Sequence, residues 1–250
     1  MKVLVFDIYG DFAHFRKFYT TSSPLSYPFP PPSTVRGIIG AILGFEREEY
    51  LEKTKDLLIG VGILSPVKKI RMGLKYINTK GRSGGFDPTL ILSRKQGNSA
   101  RARVRAEFVK DAKYRIYVSG EGEVFENLKR MVENHETYYT VYLGKSELLA
   151  DFDYVGLYDG EYQEVSDRVD SVVPVDVVED IFVGENQILA KELVPTLMDI
   201  DRTVRRFEEV VFNMGGGSIY GEFRNLVKVG NGEVVYLWKN RVSSPIQTST

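Results

Sequence analysis

Apolar side chains run almost unbroken through MKVLVFDIYG, where Val3, Leu4, Val5, Phe6 and Ile8 predict a first strand buried on both faces and ended by Tyr9-Gly10-Asp11. Residues 11–32 read as a long loop. Val35, Ile38, Ile39, Ile42 and Leu43 then recur at helical spacing, which predicts a helix capped by Ser33, stopped by Gly44 and facing a core with one stripe. EREEYLEKTKDLL predicts a short charged helix, and IGVGILSPVKKIRMGLKYINTK a strand bent or interrupted at Pro66. TLILSRK and ARARVRAEF predict the two arms of a hairpin joined by Gln96-Gly97-Asn98-Ser99. YRIYVSG predicts a strand, GEGEVFENLKRMVENH a helix and YYTVYLG another strand.

The order β, α, β, β, α, β with an inserted arm predicts an α+β chain: a ferredoxin-like (RRM-like) domain over 1–150 with a basic hairpin thumb at 89–108. Beyond it, VPVDVVEDIFV, FEEVVF and NLVKVGNGEVVYLW predict a β-rich C-terminal region over 151–250, its last runs forming a hairpin about Asn231-Gly232.

Composition narrows the class. The chain has 250 residues, of which 43% are hydrophobic and 27% charged, as expected of one large globular domain or two small ones. No run reaches the length of a membrane span, and the N-terminal apolar run is too short for a signal peptide, so a cytoplasmic protein is expected. The absence of cysteine excludes disulfide scaffolds, thiolate nucleophiles and cysteine-type zinc sites; His14 and His135 are all that remain for imidazole chemistry.

The net charge of −1 conceals a strong polarity along the chain. Residues 66–115 carry fourteen basic groups against Asp87, Glu107 and Asp111, a balance of +11, whereas residues 116–250 carry −12. Such a distribution suits a polyanion on one side. Arg101, Arg103 and Arg105 alternate with Ala102, Val104 and Ala106, so an extended strand projects all three guanidiniums from one face, with Arg94 and Lys95 nearby on the arm. Arginine pairs with phosphate oxygens and stacks on bases, so the row suits single-stranded nucleic acid; protection of an exposed edge strand is the plainer alternative.

Pro28-Phe29-Pro30-Pro31-Pro32 is expected to be stiff and to fix how the chain enters the first helix. Tyr27 and Phe29 fit either a core or base stacking. Gly37, Gly40, Ala41 and Gly44 mark a small-residue surface on that helix, open to tight packing or to a phosphate backbone near its N-terminus, where Arg36 stands. Gly215-Gly216-Gly217 lacks the lysine of a P-loop and reads as a mobile turn or a backbone nest for phosphate. His14, Arg16 and Lys17 stand together ahead of the prolines. Asp151 and Asp153 show no metal-ligand spacing, and no cofactor or metal is expected.

Several ordered segments resemble a known family. KVLVFDIYG, HFRKFYTTSSPLSYPFPPPSTVRGIIGAILG, ILSPVKKIRMGLKYINTK, KYRIYVSG and YLGKSELLADF look like the fifth family of CRISPR-associated proteins, in the RAMP superfamily, in its type I-B variant. The match covers about the first 155 residues; the C-terminal third matches more loosely, through the glycine-rich turn. The resemblance implies a subunit of the Cascade surveillance complex that holds the 5′ handle of the guide RNA (crRNA), contacts the backbone and large subunits, and meets target DNA through the complex. RNA contacts are then expected from His14, Arg16, Lys17, Tyr27, Ser33, Arg36, Arg94, Lys95, Arg101, Arg103, Arg105, Lys145 and the three glycines at 215–217. One branch of the family cuts precursor RNA without a metal, using tyrosine, lysine and histidine. The arm here has no histidine, so binding without cleavage is expected; cleavage through His14, with Lys17 or Tyr19, is the alternative.

Overall fold

The computed structural model describes residues 1–77, 79, 101–184 and 187–240. The chain opens with β1 (Lys2–Ala13), the short strands β2 (Phe15–Arg16) and β3 (Ser26–Tyr27), and helices α1 (Pro32–Leu43) and α2 (Tyr50–Lys53). Strands β4 (Leu58–Ile63), β5 (Lys68–Ile77) and β6 (Arg101–Ser119) follow, then α3 (Glu123–Glu133) and β7 (Asp151–Val169). The remainder is β8 (Val173–Pro174), a short 3-10 turn, β9 (Val178–Phe182), β10 (Leu189–Met198), β11 (Val204–Asn213), β12 (Ile219–Val229) and β13 (Val234–Val235). No described helix is long and apolar enough to cross a membrane.

The main sheet runs β13-β12-β7-β1-β6-β4, with β5 added to the outer part of β6 and β9 to β12. The strands β7-β1-β6-β4 pair antiparallel throughout. Residues 151–159 of β7 pair with β1, and residues 160–169 continue alongside β12, so one strand serves both halves of the chain. A second sheet, β10-β11-β8, packs beside α1.

Both faces of β1 are covered, as its continuous apolar run requires. Leu4, Phe6 and Ile8 join Val35, Ile38, Ile39 and Ile42 of α1 and Phe125, Leu128 and Val132 of α3 in one core. Val3 and Val5 meet Tyr117 and the C-terminal residues Val227, Val229 and Val235 on the opposite face. The first core also takes Val194, Val210 and Phe212 from the second sheet; Phe29 meets Phe212 edge to face with ring centres 5.2 Å apart. Burial of such a side chain stabilises by about 1.5–3 kcal/mol, enough to hold the proline segment against the body. Pro30, Pro31 and Pro32 are buried, and Pro32 occupies the first turn of α1, where its missing N–H costs nothing.

Several elements differ from the pattern reading. β1 does not stop at Tyr9-Gly10-Asp11 but continues to Ala13, because Gly10 lets the Leu149 backbone approach where a Cβ would stand 2.8 Å from its carbonyl oxygen. Ser33 lies inside α1 and makes no cap; Pro31 precedes the helix. ARARVRAEF and YRIYVSG are one strand, β6, bent without ending at Asp111, whose φ is +53°. Its first ten residues pair with β5, the last two of them also with the end of β1, while TLILSRK lies outside the described residues. YYTVYLG is a loop held by an isolated bridge between Tyr142 and Leu149, and the strand beside β1 is the polar β7 instead.

Candidate nucleic-acid interface

A cleft of about 1070 Å³ opens between α1, the β5–β6 ribbon and the 139–145 loop. Its floor is the small-residue face of α1, where Gly37 and Ala41 line the opening, flanked by Ser33 and Thr34 in the first turn. The other glycines of that helix serve packing. At Gly40 a Cβ would stand 2.7 Å from the Cβ of Tyr50, and Gly44 closes the helix in the left-handed conformation (φ +77°) beneath the Tyr138 ring.

One wall is aromatic. Tyr76 on β5 and Tyr139 and Tyr142 in the loop are exposed and line the cleft, together with Tyr50. The Lys145 ammonium donates to the Tyr76 hydroxyl at 2.7 Å and lies 5.3 Å from the centre of its ring, which joins the loop to the ribbon. Tyr139 donates to Glu46 at 2.7 Å, and that carboxylate pushes the phenol's pKa upward.

The cleft is also cationic. Arg16, Arg47, Lys145 and Arg202 line it, against the single carboxylate of Glu46. Arg202 and Met198 come from the β10–β11 turn, so the C-terminal half completes a site built mostly by the N-terminal half. Arg16 is oriented by donation to the Thr20 carbonyl at 2.8 Å. Flat π faces beside a cationic groove suit unpaired bases on a phosphate backbone.

His14 closes the inner end. Its backbone N–H donates to Leu143 at 3.0 Å, and the neighbouring Gly144 (φ +93°) presses so closely that a Cβ there would collide with the His14 carbonyl. The imidazole lies 2.6 Å from the Glu107 carbonyl through Nδ1, which assigns the proton to Nδ1 and leaves the lone pair on Nε2. Nε2 is buried and has no hydrogen-bond partner among the described residues. Burial lowers the imidazole pKa; the Glu107 carbonyl opposes this, and the cations Lys145 and Arg16 add to it. The ring is therefore held neutral. Among the described residues no group of three or more His, Cys, Asp or Glu side chains is placed to hold a metal ion.

Of the residues singled out from sequence, His14, Arg16, Ser33 and Lys145 meet in this cleft. Lys17 is instead buried in an ion pair with Glu192 of β10, because its short loop turns inward against the second sheet. Tyr27 is 1% exposed and belongs to the core. Arg36, also 1% exposed, donates to the carbonyls of Thr54 and Leu57 (2.8 Å to the latter), tying α1 to the start of β4. Gly215, Gly216 and Gly217 form a turn braced by Asn213 against residues 63–65, away from the cleft; the Gly217 N–H donates to Ile63 at 2.9 Å. Arg101, Arg103 and Arg105 stand on the ribbon but do not line the cleft, and Arg94 and Lys95 lie outside the described residues. Sequence reading missed Arg47, Tyr76, Tyr139, Tyr142 and Arg202. The tyrosine-dense YYTVYLGK was a usable sign; nothing local marked Arg202.

A family model described as "CRISPR-associated protein (Cas_Cas5)" matches residues 3–207. The fold is similar to the crystal structure of a CRISPR protein from Archaeoglobus fulgidus, with a TM-score of 0.54 at 12% identity over 96% of this chain and 99% of that one. It is also similar to a chain of a CRISPR RNA-guided surveillance complex, with a TM-score of 0.52 at 11% identity over 92% of each chain. No curated protein matches.

Proposed function

The chain belongs to the CRISPR-associated Cas5 family, and from that membership we propose that it is an RNA-binding subunit of a type I guide-RNA effector complex that seats the crRNA 5′ handle in its cleft. The observation that carries this reading is the cleft itself, which gathers four cations and three exposed tyrosines around Gly37 and Ala41. Cations attract the backbone, tyrosines receive splayed bases, and the bare helix floor lets the strand lie close. We read β7-β1-β6-β4 with α1 and α3 as the ferredoxin-like unit of the RAMP superfamily, the β5–β6 ribbon as the base of its thumb, and the region after 150 as the β-rich remainder. In this reading the backbone and large subunits flank the chain in the cytoplasm and target DNA arrives through the complex.

Incubating the full chain with repeat RNA in EDTA tests the proposal. Retention of intact RNA, weakened by Arg47→Ala with Lys145→Ala, is the expected result. A single defined cut abolished by His14→Ala would replace it with the second reading, metal-independent cleavage. One observation favours that reading: the neutral His14 ring shares the cleft with the Tyr76–Lys145 pair. Lys17 takes no part in it, being engaged with Glu192.

A further inference from the structure

One anion stands among the cations of the cleft. Glu46 is exposed at the joint between α1 and α2, and among the described residues no lysine or arginine forms an ion pair with it. Its carboxylate accepts the Tyr139 hydroxyl at 2.7 Å instead. Both residues are fixed at the backbone: the Glu46 carbonyl accepts the N–H groups of Glu49 and Tyr50 at 3.0 and 3.2 Å, and the Tyr139 N–H donates to Ala41 on the cleft floor at 2.9 Å. The carboxylate is thereby held beside an exposed aromatic ring.

A carboxylate repels phosphate and accepts hydrogen bonds without donating any, so the group it favours in a nucleic-acid strand is a base N–H. It has about four lone-pair sites, of which Tyr139 occupies one. Unpaired bases that stack on aromatic rings leave their Watson–Crick edges open to hydrogen bonding. On that edge adenine and cytosine set one amino group beside a ring-nitrogen acceptor, and uracil sets its N–H between two carbonyls. Each of these brings a lone pair against the carboxylate. Guanine alone offers two neighbouring donors, N1–H and the N2 amino group, which match the two carboxylate oxygens.

We propose that Glu46 selects guanine: one base of the strand in the cleft stacks against the tyrosine wall and presents N1–H and its N2 amino group to the carboxylate. Tyr139 is the positioning residue, since its hydroxyl fixes the rotation of that carboxylate. The proposal rests on the nucleic-acid reading of the cleft and adds a base preference that cations and tyrosines, which accept any base, do not supply. A bidentate contact of this kind discriminates by about 5-fold to about 150-fold against the wrong base.

Binding of the full chain to uridine octamers that carry a single central guanosine, inosine, adenosine or cytidine tests it. Inosine keeps N1–H but lacks the N2 amino group. The guanosine octamer is expected to bind at least about 5-fold more tightly than the all-uridine octamer, and inosine to lose most of that advantage. Glu46→Gln should abolish the preference and tighten the all-uridine octamer, because a negative charge leaves the cleft. Tyr139→Phe keeps a ring for stacking but frees the carboxylate, so it should shrink the ratio of guanosine to inosine affinity. Equal affinities for the guanosine and inosine octamers would overturn the proposal, as would a preference for adenosine or cytidine. Equal losses from Glu46→Gln on every octamer would reduce the carboxylate to a brace for Tyr139 and overturn it as well. If Arg47→Ala with Lys145→Ala spares the all-uridine octamer, the cleft reading itself fails and the proposal falls with it.

Discussion

Replacing Arg36 by methionine separates a core role from a contact role. The guanidinium is sequestered and donates to two carbonyls, those of Thr54 and Leu57. Methionine fills a similar volume but strands both acceptors, at about 1–3 kcal/mol each. An opposing term exists, because burial lowers the Arg36 pKa from its ordinary value to about 10, partly countered by Asp56. That difference corresponds to about 3 kcal/mol of unfavourable charge burial that the substitution relieves. Two stranded acceptors at about 2–6 kcal/mol together, less about 3, leave a net loss from near zero to about 3 kcal/mol, and for a chain of this size 2 kcal/mol lowers the melting temperature by about 4–8 °C. Thermal melts of Arg36→Met beside RNA titrations at a temperature where both proteins are folded make the measurement. Arg47→Ala, which removes a cleft cation, should behave oppositely, with melting unchanged and RNA held more weakly. An Arg36→Met protein that melts with the parent and loses RNA affinity would refute the assignment.

Two further outcomes follow from buried charge. Lys17→Met leaves Glu192 without its partner and should cost about 3–5 kcal/mol in urea unfolding, most of it recovered by adding Glu192→Gln; strictly additive losses would contradict the pairing. His14 is held neutral with its pKa below the ordinary 6.5, so the unfolded chain takes up its proton first as pH falls. The stability this ring contributes is complete above about pH 6.5 and declines as pH drops toward its folded value. The melting temperature of the parent should therefore fall more steeply between pH 7.5 and 5.5 than that of His14→Gln, and parallel profiles would count against a buried neutral ring.

The elements most legible in sequence were those whose local pattern coincides with their environment. The run from Val3 to Ile8, the stripe of α1, the α3 helix and the turn at Asn231-Gly232 all appear where the pattern put them. Failures came where tertiary context overrode composition. ARARVRAEF and YRIYVSG read as separate strands, yet Asp111 between them takes up a positive φ within one continuing strand. YYTVYLG has strand composition but points its tyrosines at solvent and cleft, whereas β7, acidic and half exposed, carries little strand signature and still pairs on both sides. Lys17 and Arg36 looked like surface cations because charge usually stays wet. Their partners lie 175 and 18–21 residues away, beyond any local pattern. The same distance explains why Arg202 was invisible: only folding of the β10–β11 turn over α1 brings it to the cleft.

The sharing of β7 between the two halves bears on how the protein is made. β1 leaves the ribosome before β7, and its edge facing β7 stays open until residues 151–159 emerge. At ordinary rates of elongation that delay is about 7–30 s. For all of it a highly apolar strand lacks at least one neighbour, and until residues 109–119 of β6 emerge it lacks both; Phe29 waits longer still for Phe212. The nascent chain therefore carries an exposed pairing edge from β1 until β7, an interval in which capture by a chaperone or mispairing with another copy competes with correct closure.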